Sequence, residues 1–514
     1  MTLDPVAYAR RWKTLGVLSL SLVIIGLDNT VLNVALPSLQ REFDASSSTL
    51  QWIVDAYLLV FAGLLLTMGT VGDRFGRKRA LQLGLALFGG GSLLAPFAQS
   101  ADQLIVVRGL MGAGGALIMP ATLSIISNVF PPEERGKAIG IWAGMASVGI
   151  GLGPLLGGVL LEWFDWSAVF LINVPVAAIA ILLGVRLVPE SRDPNPGRFD
   201  LAGAGLSIAA LVSLVYGIIE APDRGWTDPR ILACFGAAAA LGLAFVRWEL
   251  RTPEPMLDLS FLRDRRFSVA SMAISLASFA LFGASFAATQ FLQDVHGYSA
   301  LEAGAAMVPL AFGLVMGAMS SVRLVARFGT RPVVATGLLG LAGTLTATIT
   351  WSAGMPYWQL GLWFFAVSMS MGMIMSPSTA SVMGSVPSDK AGVASAMNDV
   401  TREVGGALGT AVIGSLIASL YSSRIADSVA QLPASLQSAA QDSIGKANAV
   451  AAHLSGGEGA HLKDAAASAF TEALGLGFCV AAACAVAAAV AVRLLLPARR
   501  APAELALAPV PEAA

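Results

Sequence analysis

Six ionisable side chains stand in stretches of this chain that are otherwise apolar: Asp28, Asp55, Arg108, Asp399, Arg402 and Glu403. A carboxylate near the centre of a bilayer costs roughly 3 kcal/mol on insertion scales. Such a group therefore faces a bundle interior or a watery cavity, where it binds an ion or relays protons. Asp28 is the only charged residue between Leu15 and Pro37. Glu403 falls roughly 18 Å into its stretch at 1.5 Å per helical residue, near the midplane. Asp55 sits about one turn into its own stretch. Asp399 and Arg402 are spaced i, i+3, so on a helix they share a face and can neutralise each other as a structural ion pair. Glu403 then points about 100° away from Arg402 and lacks a helical partner.

The elements that carry these groups are long and apolar. The chain has 514 residues, 56% of them hydrophobic and 13% charged. Soluble domains carry about 25% charged residues, so a soluble enzyme is excluded by composition. Stretches near 20 apolar residues span a bilayer as helices. Fourteen such spans are expected, at about 14–37, 50–71, 80–98, 102–125, 137–161, 167–187, 200–220, 230–248, 267–292, 302–325, 332–353, 357–380, 391–421 and 469–496. Arg10, Arg11 and Lys13 precede the first, which reads as a retained helix and not a cleaved signal. Cys234, Cys479 and Cys484 lie in apolar segments and read as inert thiols. The three histidines have no metal-ligand spacing. Neither a metal nor another cofactor is expected, and a net charge of −1 gives no reason to expect nucleic acid.

Loop charges set the orientation. With the N-terminus in the cytoplasm, only Arg41, Arg224, Arg230, Arg424, Lys446 and Lys463 fall outside. The remaining loop Lys and Arg fall inside, as the positive-inside rule demands. Both termini are then cytoplasmic. The sequence also repeats. "IMPATLSIISNVFPPEERGKAIG" from Ile118 resembles "IMSPSTASVMGSVPSDKAGVAS" from Ile374, and Gly136 and Gly153 recur at one offset as Gly392 and Gly409. The plan is a six-span bundle over 1–190, two inserted spans with linkers over 191–264, and a second six-span bundle over 265–500. A long external loop at 422–468, polar, alanine-rich and suited to short amphipathic helices, and a cytoplasmic tail at 501–514 complete it. Repeated halves indicate a secondary transporter whose site lies between them.

Five motifs refine this reading. "GTVGDRFGRKRA" after the second span supplies Gly69, Asp73, Arg74, Gly76, Arg77 and Lys78, with Gly76 suited to a tight turn. "LIVVRGLMGAGGA" places Arg108 inside the fourth span. "GMASVGIGLGPLLGG" spaces Gly149, Gly153 and Gly157 by four, with Pro154 and Gly158 beside them, a smooth face for helix approach. "GLDNTVLNVALPSL" holds Asp28, and "NDVTREVGGALG" holds Glu403. Together these resemble the major facilitator superfamily, and within it the fourteen-span drug:proton antiporters that include the quaternary-ammonium exporters. The resemblance runs from the first span to about Tyr421.

It implies an all-α integral membrane fold and proton-coupled export of amphiphilic, cationic drugs or toxic compounds across a bacterial inner membrane. The glycine motif would seal the halves, and the Asp73 loop would act as a conformational latch. The second copy, "ARFGTRP", has Ala326 in place of Asp73. Asp28, Glu403 and Arg108 are the expected proton-coupling residues. Asp28, Asp55, Trp52, Tyr57, Phe279, Phe282, Phe286, Trp363 and Met371 are the expected substrate-binding residues. No GxxxxGK[ST] loop is present, so energy is expected from an ion gradient and not from ATP, and the resemblance implies that the ion is the proton. The expected partners are a small amphiphilic substrate, protons and the lipid bilayer, and the chain is expected to act as a monomer. A dedicated exporter of one antibiotic, siderophore or lipid is the alternative.

Overall fold

The structure is a computed structural model that describes residues 5–192, 200–253, 255, 257, 259–386, 391–454 and 457–497. In chain order its helices are α1 Pro5–Phe43, α2 Ser47–Phe75, α3 Arg77–Leu94, α4 Ala101–Val129, α5 Pro132–Trp163, α6 Ala168–Leu171 and α7 Asn173–Leu187. Then come α8 Leu201–Arg224, α9 Pro229–Glu249, α10 Arg265–Gln290, α11 Ala300–Ala306, α12 Val308–Phe328, α13 Thr330–Thr346 and α14 Tyr357–Met383. The last are α15 Ala391–Val429, α16 Ala434–Asp442, α17 Ile444–His453 and α18 Gly457–Leu495. Fourteen helical stretches are long and apolar enough to cross a membrane, with α6–α7 and α11–α12 each forming one. The described residues contain no strand, as a bilayer favours, because a helix satisfies its own backbone groups.

Local sequence sets the ends. Ser46 accepts a hydrogen bond from the Thr49 amide to start α2, and Ser100 does the same for the Gln103 amide at α4. Ser299 and Glu302 close a reciprocal cap on α11. Gly76 ends α2 at φ 117° and Gly329 ends α12 at φ 85°, conformations that disfavour a Cβ. These two turns are the paired positions of the sequence repeat.

The repeat is also visible in packing. α1 pairs with α5, α2 with α4 and α3 with α7. In the second half α10 pairs with α15, α12 with α14 and α13 with α18. The halves meet where α2 lies on α15 and where α5 lies on α11 and α12. Of the inserted helices, α8 packs on α2 and α15 and so walls one side of that seam. α9 packs on α8, and its described residues are mostly exposed, which suits contact with lipid.

The stretch 422–468 carries the short helices expected of it, and they pack more than a loop would. α15 continues to Val429, α18 begins at Gly457, and α16 and α17 form a helical hairpin between them. Alanine-rich sequence favours helix, and Ile444, Ala447 and Val450 give the hairpin an apolar face buried against the second half. The expected tail at 501–514 lies outside the described residues.

Candidate functional site

Asp28 and Arg108 come together within the first half. Arg108 Nη1 donates to Asp28 Oδ2 at 2.6 Å, and both residues are 1% exposed. Arg108 Nε donates to the Ile53 carbonyl at 3.1 Å, and its guanidinium lies 4.5 Å from the Tyr57 ring centre. Asn173 Nδ2 donates to Asp28 Oδ1 at 3.3 Å and to Ser92 Oγ at 3.4 Å. α1, α2, α3, α4 and α7 thus each contribute to one dry network. Both Asp28 oxygens are engaged there. In this arrangement the cation that Asp28 meets is Arg108. Asn173 and Ser92 escaped the sequence reading; the available signal was an amide inside the apolar run 167–187.

The carboxylates with spare capacity lie elsewhere. Asp55 is fully buried on α2, and neither of its oxygens has a hydrogen-bond partner among the described residues. It is therefore not a solvated mouth residue. Its helix neighbour Gln51 accepts from Ser415 of α15 at 3.1 Å across the seam. Trp52, one turn before it, is half-buried with its ring 6.0 Å from Tyr216 of α8. Tyr216 was not anticipated, since nothing in the sequence says which helices the inserted pair touches.

Glu403 is also fully buried. Its Oε1 accepts from Arg402 Nη2 at 3.1 Å, and its Oε2 has no partner. Arg402 Nη1 stands 3.5 Å from Asp399 Oδ1. The expected pairing of Asp399 with Arg402 is therefore shared, and the expectation that Glu403 lacks a helical partner is corrected. Adjacent helical residues diverge by about 100°, but the long arginine side chain folds back over that arc. Arg402 also reaches Met119 Sδ of α4 at 3.8 Å, so its guanidinium crosses the seam.

The glycines of α5 face two ways. A Cβ on Gly149 would stand 2.5 Å from the Val23 carbonyl oxygen, and one on Gly157 would stand 2.9 Å from a Val31 methyl, both on α1. Gly153 abuts Thr30 and the Leu27 carbonyl. A Cβ on Gly158 would meet the Ala300 carbonyl at 2.6 Å, and Gly304 abuts the Pro154 carbonyl, so the other face closes on the second half. Packing this close requires residues without side chains.

The latch loop is bonded chiefly within its own half. Arg77 Nε donates to Asp73 at 2.7 Å. The Arg77 amide donates to the Ser191 carbonyl at 2.8 Å, and the Lys78 amide to Glu190 at 3.2 Å. Lys78 Nζ donates to the Val185 carbonyl at 2.8 Å. Gly76 leaves room for Glu190, whose Oε1 would be 2.6 Å from a Cβ there. Gly69 makes ordinary contact with Pro120, and Arg74 follows Asp73 on the last turn of α2.

The expected aromatic lining divides. Phe282 packs on Gly406, Phe279 presses its backbone on Gly409, and Phe282 and Phe286 both reach the core of the first half, so this edge of α10 faces the seam. Trp363 does not. Its Nε1 donates to the Thr344 carbonyl at 2.7 Å, and its ring stacks on Phe478 at 5.9 Å. Met371 is buried in that same second-half core. Trp363 thus fills contacts of α14 with α13 and α18, and neither residue is placed at the seam by a described contact to a first-half residue.

Fourteen candidate spans, two repeated six-helix halves and an inserted pair, with ionic groups at and beside the seam, define a multi-pass membrane transporter. The Major Facilitator Superfamily model matches residues 18–410. The multidrug efflux pump LfrA of Mycolicibacterium smegmatis is 38% identical over 462 residues, covering 90% of this chain and 91% of the pump. The tetracenomycin C resistance and export protein of Streptomyces glaucescens is 35% identical over 512 residues, covering 98% of this chain and 95% of that protein. The methyl viologen resistance protein SmvA of Salmonella typhimurium is 37% identical over 415 residues, covering 79% and 82%. Among solved structures, a bacterial homolog of the human lysosomal transporter Spinster, inward-facing and unoccupied, superposes with a TM-score of 0.64 at 19% identity, covering 96% of this chain and 99% of that one. The chain belongs to the major facilitator superfamily.

Proposed function

We propose that the protein exports amphiphilic cations in exchange for protons across a bacterial cytoplasmic membrane, with both termini inside. The observation that carries this reading is Asp55, a buried carboxylate with two unpartnered oxygens on a seam helix. A buried carboxylate without a partner is costly unless it is protonated or meets a cation. A proton and a cationic substrate therefore compete for it. Glu403, with one free oxygen, is the second acid of the site. Protons taken up from outside leave to the cytoplasm, the vacated carboxylates bind the cation, and reorientation releases it outside. Asp28 and Arg108 hold the first half rigid and bias the field at Tyr57. One charge moving through 100 mV supplies about 2.3 kcal/mol for uphill export. The names of the pump LfrA and of the methyl viologen resistance protein support a cationic, multidrug range.

A second reading is a dedicated antibiotic exporter. It is favoured by the tetracenomycin C relative, which matches nearly the whole chain. Everted vesicles with an imposed pH gradient separate the two. Addition of ethidium or methyl viologen should dissipate the gradient, and Asp55→Asn should weaken the response. Dissipation by tetracenomycin C alone would establish the dedicated exporter.

A further inference from the structure

We infer that the α16–α17 hairpin is a lid that travels with the second half and clamps onto the first, holding shut the end of the seam opposite the termini. The hairpin is tied to its own half by the Tyr421 hydroxyl, which donates to the Ala440 carbonyl at 3.0 Å. Asn448 Nδ2 adds a bond to the Asp294 carbonyl at 2.9 Å. Its apolar face is buried on α18. Its other edge is bonded across the seam. Gln40 Nε2 of α1 donates to Ser443 Oγ at 2.7 Å, in a buried position, and Ser47 Oγ of α2 donates to the Asp442 carbonyl at 3.0 Å. Lys446 Nζ stands 3.5 Å from Asp44.

Beneath this edge lies a cavity of about 20 Å³, room for roughly one water. Ser47, Phe286, Gln290, Gly414, Tyr421 and Ile444 line it, so both halves and the hairpin meet around it. Gln293 Nε2 donates to the Val34 carbonyl at 2.8 Å and gives the seam a further bond at that end. Opening this end must separate α1 and α2 from α10 and α15. The hairpin keeps its buried apolar face only by leaving with the second half. The bonds from Gln40 and Ser47 are then the ones that break. The cavity is the collapsed outer end of the path between the halves, and the lid decides when it opens.

The test uses the full chain with Cys234, Cys479 and Cys484 replaced by alanine. In Gln40→Cys/Ser443→Cys, oxidation should stop export of ethidium or methyl viologen and reductant should restore it, so the reduced form controls for folding. A second arm needs no substrate. Gln290→Cys should react slowly with a membrane-impermeant maleimide added outside. Adding Gln40→Met should speed that reaction about fivefold, the weight of one neutral hydrogen bond. Full export by the oxidised pair, or labelling indifferent to Gln40→Met, would overturn the lid. Failure of the intact protein to export either cation would count against the proposed substrate class while the labelling arm still judges the lid.

Discussion

Asp28→Asn should cost the protein its fold before it costs it coupling. The charges of Asp28 and Arg108 approach to 2.6 Å with both side chains almost fully buried. At an effective dielectric near 20 their attraction is about 6 kcal/mol. Taking both ions out of water offsets much of that, so the net worth of the pair is small. Removing one partner is different. It leaves a buried guanidinium without its counter-charge, a loss of about 3–5 kcal/mol. The Ile53 carbonyl and the Tyr57 ring remain as partners for Arg108, which places the expected loss at the lower end. Asp28→Asn should therefore lower the thermal midpoint of detergent-solubilised protein and the yield of folded protein. Arg108→Gln should do the same. The double variant Asp28→Asn/Arg108→Gln should recover a large part, because two neutral amides can bond each other. The assay is a double-mutant cycle on the melting midpoint, with transport measured on the fraction that folds. Losses that simply add, with no recovery in the double variant, would refute the view of Asp28 as the half of an internal pair. A folded, wild-type-stable Asp28→Asn that no longer binds cations would return Asp28 to the substrate site.

Three further outcomes follow from the same geometry. Asp55→Asn should melt no lower than the parent, since it removes an unpartnered buried charge, yet weaken methyl viologen export about tenfold, the equivalent of 1.4 kcal/mol; a destabilised variant with intact export would sink the assignment. Gly149→Ala should lose about 1–3 kcal/mol of stability, because its Cβ would meet the Val23 carbonyl at 2.5 Å in the α1–α5 contact; Gly144→Ala, which meets nothing within 4 Å, should be silent on the same melting assay. Burial pushes the Asp442 carboxyl above its ordinary value of 3.8, with Lys446 opposing and Asp223 adding to the rise. The folded state therefore binds the proton more tightly than the unfolded one, so the stability of the hairpin is greatest in acid and falls as pH rises through the raised value. Hydrogen-exchange protection over α16–α17, corrected for the intrinsic exchange rate at each pH, should fall as pH rises through the raised value, and Asp442→Asn should remove that fall.

What the sequence determined by itself is the part written in local spacing. Apolar runs of spanning length give the helices, since a membrane span is closed on its own backbone. The offset repeat gives the two halves. Gly76 and Gly329 mark the paired turns, and the isolated charges mark which spans carry buried ionisable groups. Local spacing also failed in identifiable places. Helix geometry alone pairs Asp399 with Arg402, whereas the fold lets the long side chain turn back to Glu403 and across to Met119. A polar, alanine-rich stretch reads as an external loop with short amphipathic helices, and only the burial of Ile444, Ala447 and Val450 against the second half shows that they form a packed hairpin. Tertiary structure alone decided that Asp28 meets Arg108 and Asn173, that Asp55 finds no hydrogen-bond partner among the described residues, that Trp363 packs on α13 and α18, and that α8 walls the seam. Each is a question of which faces of distant helices touch. A period of 3.6 residues tells that a helix has faces, and only packing tells which neighbour each face receives.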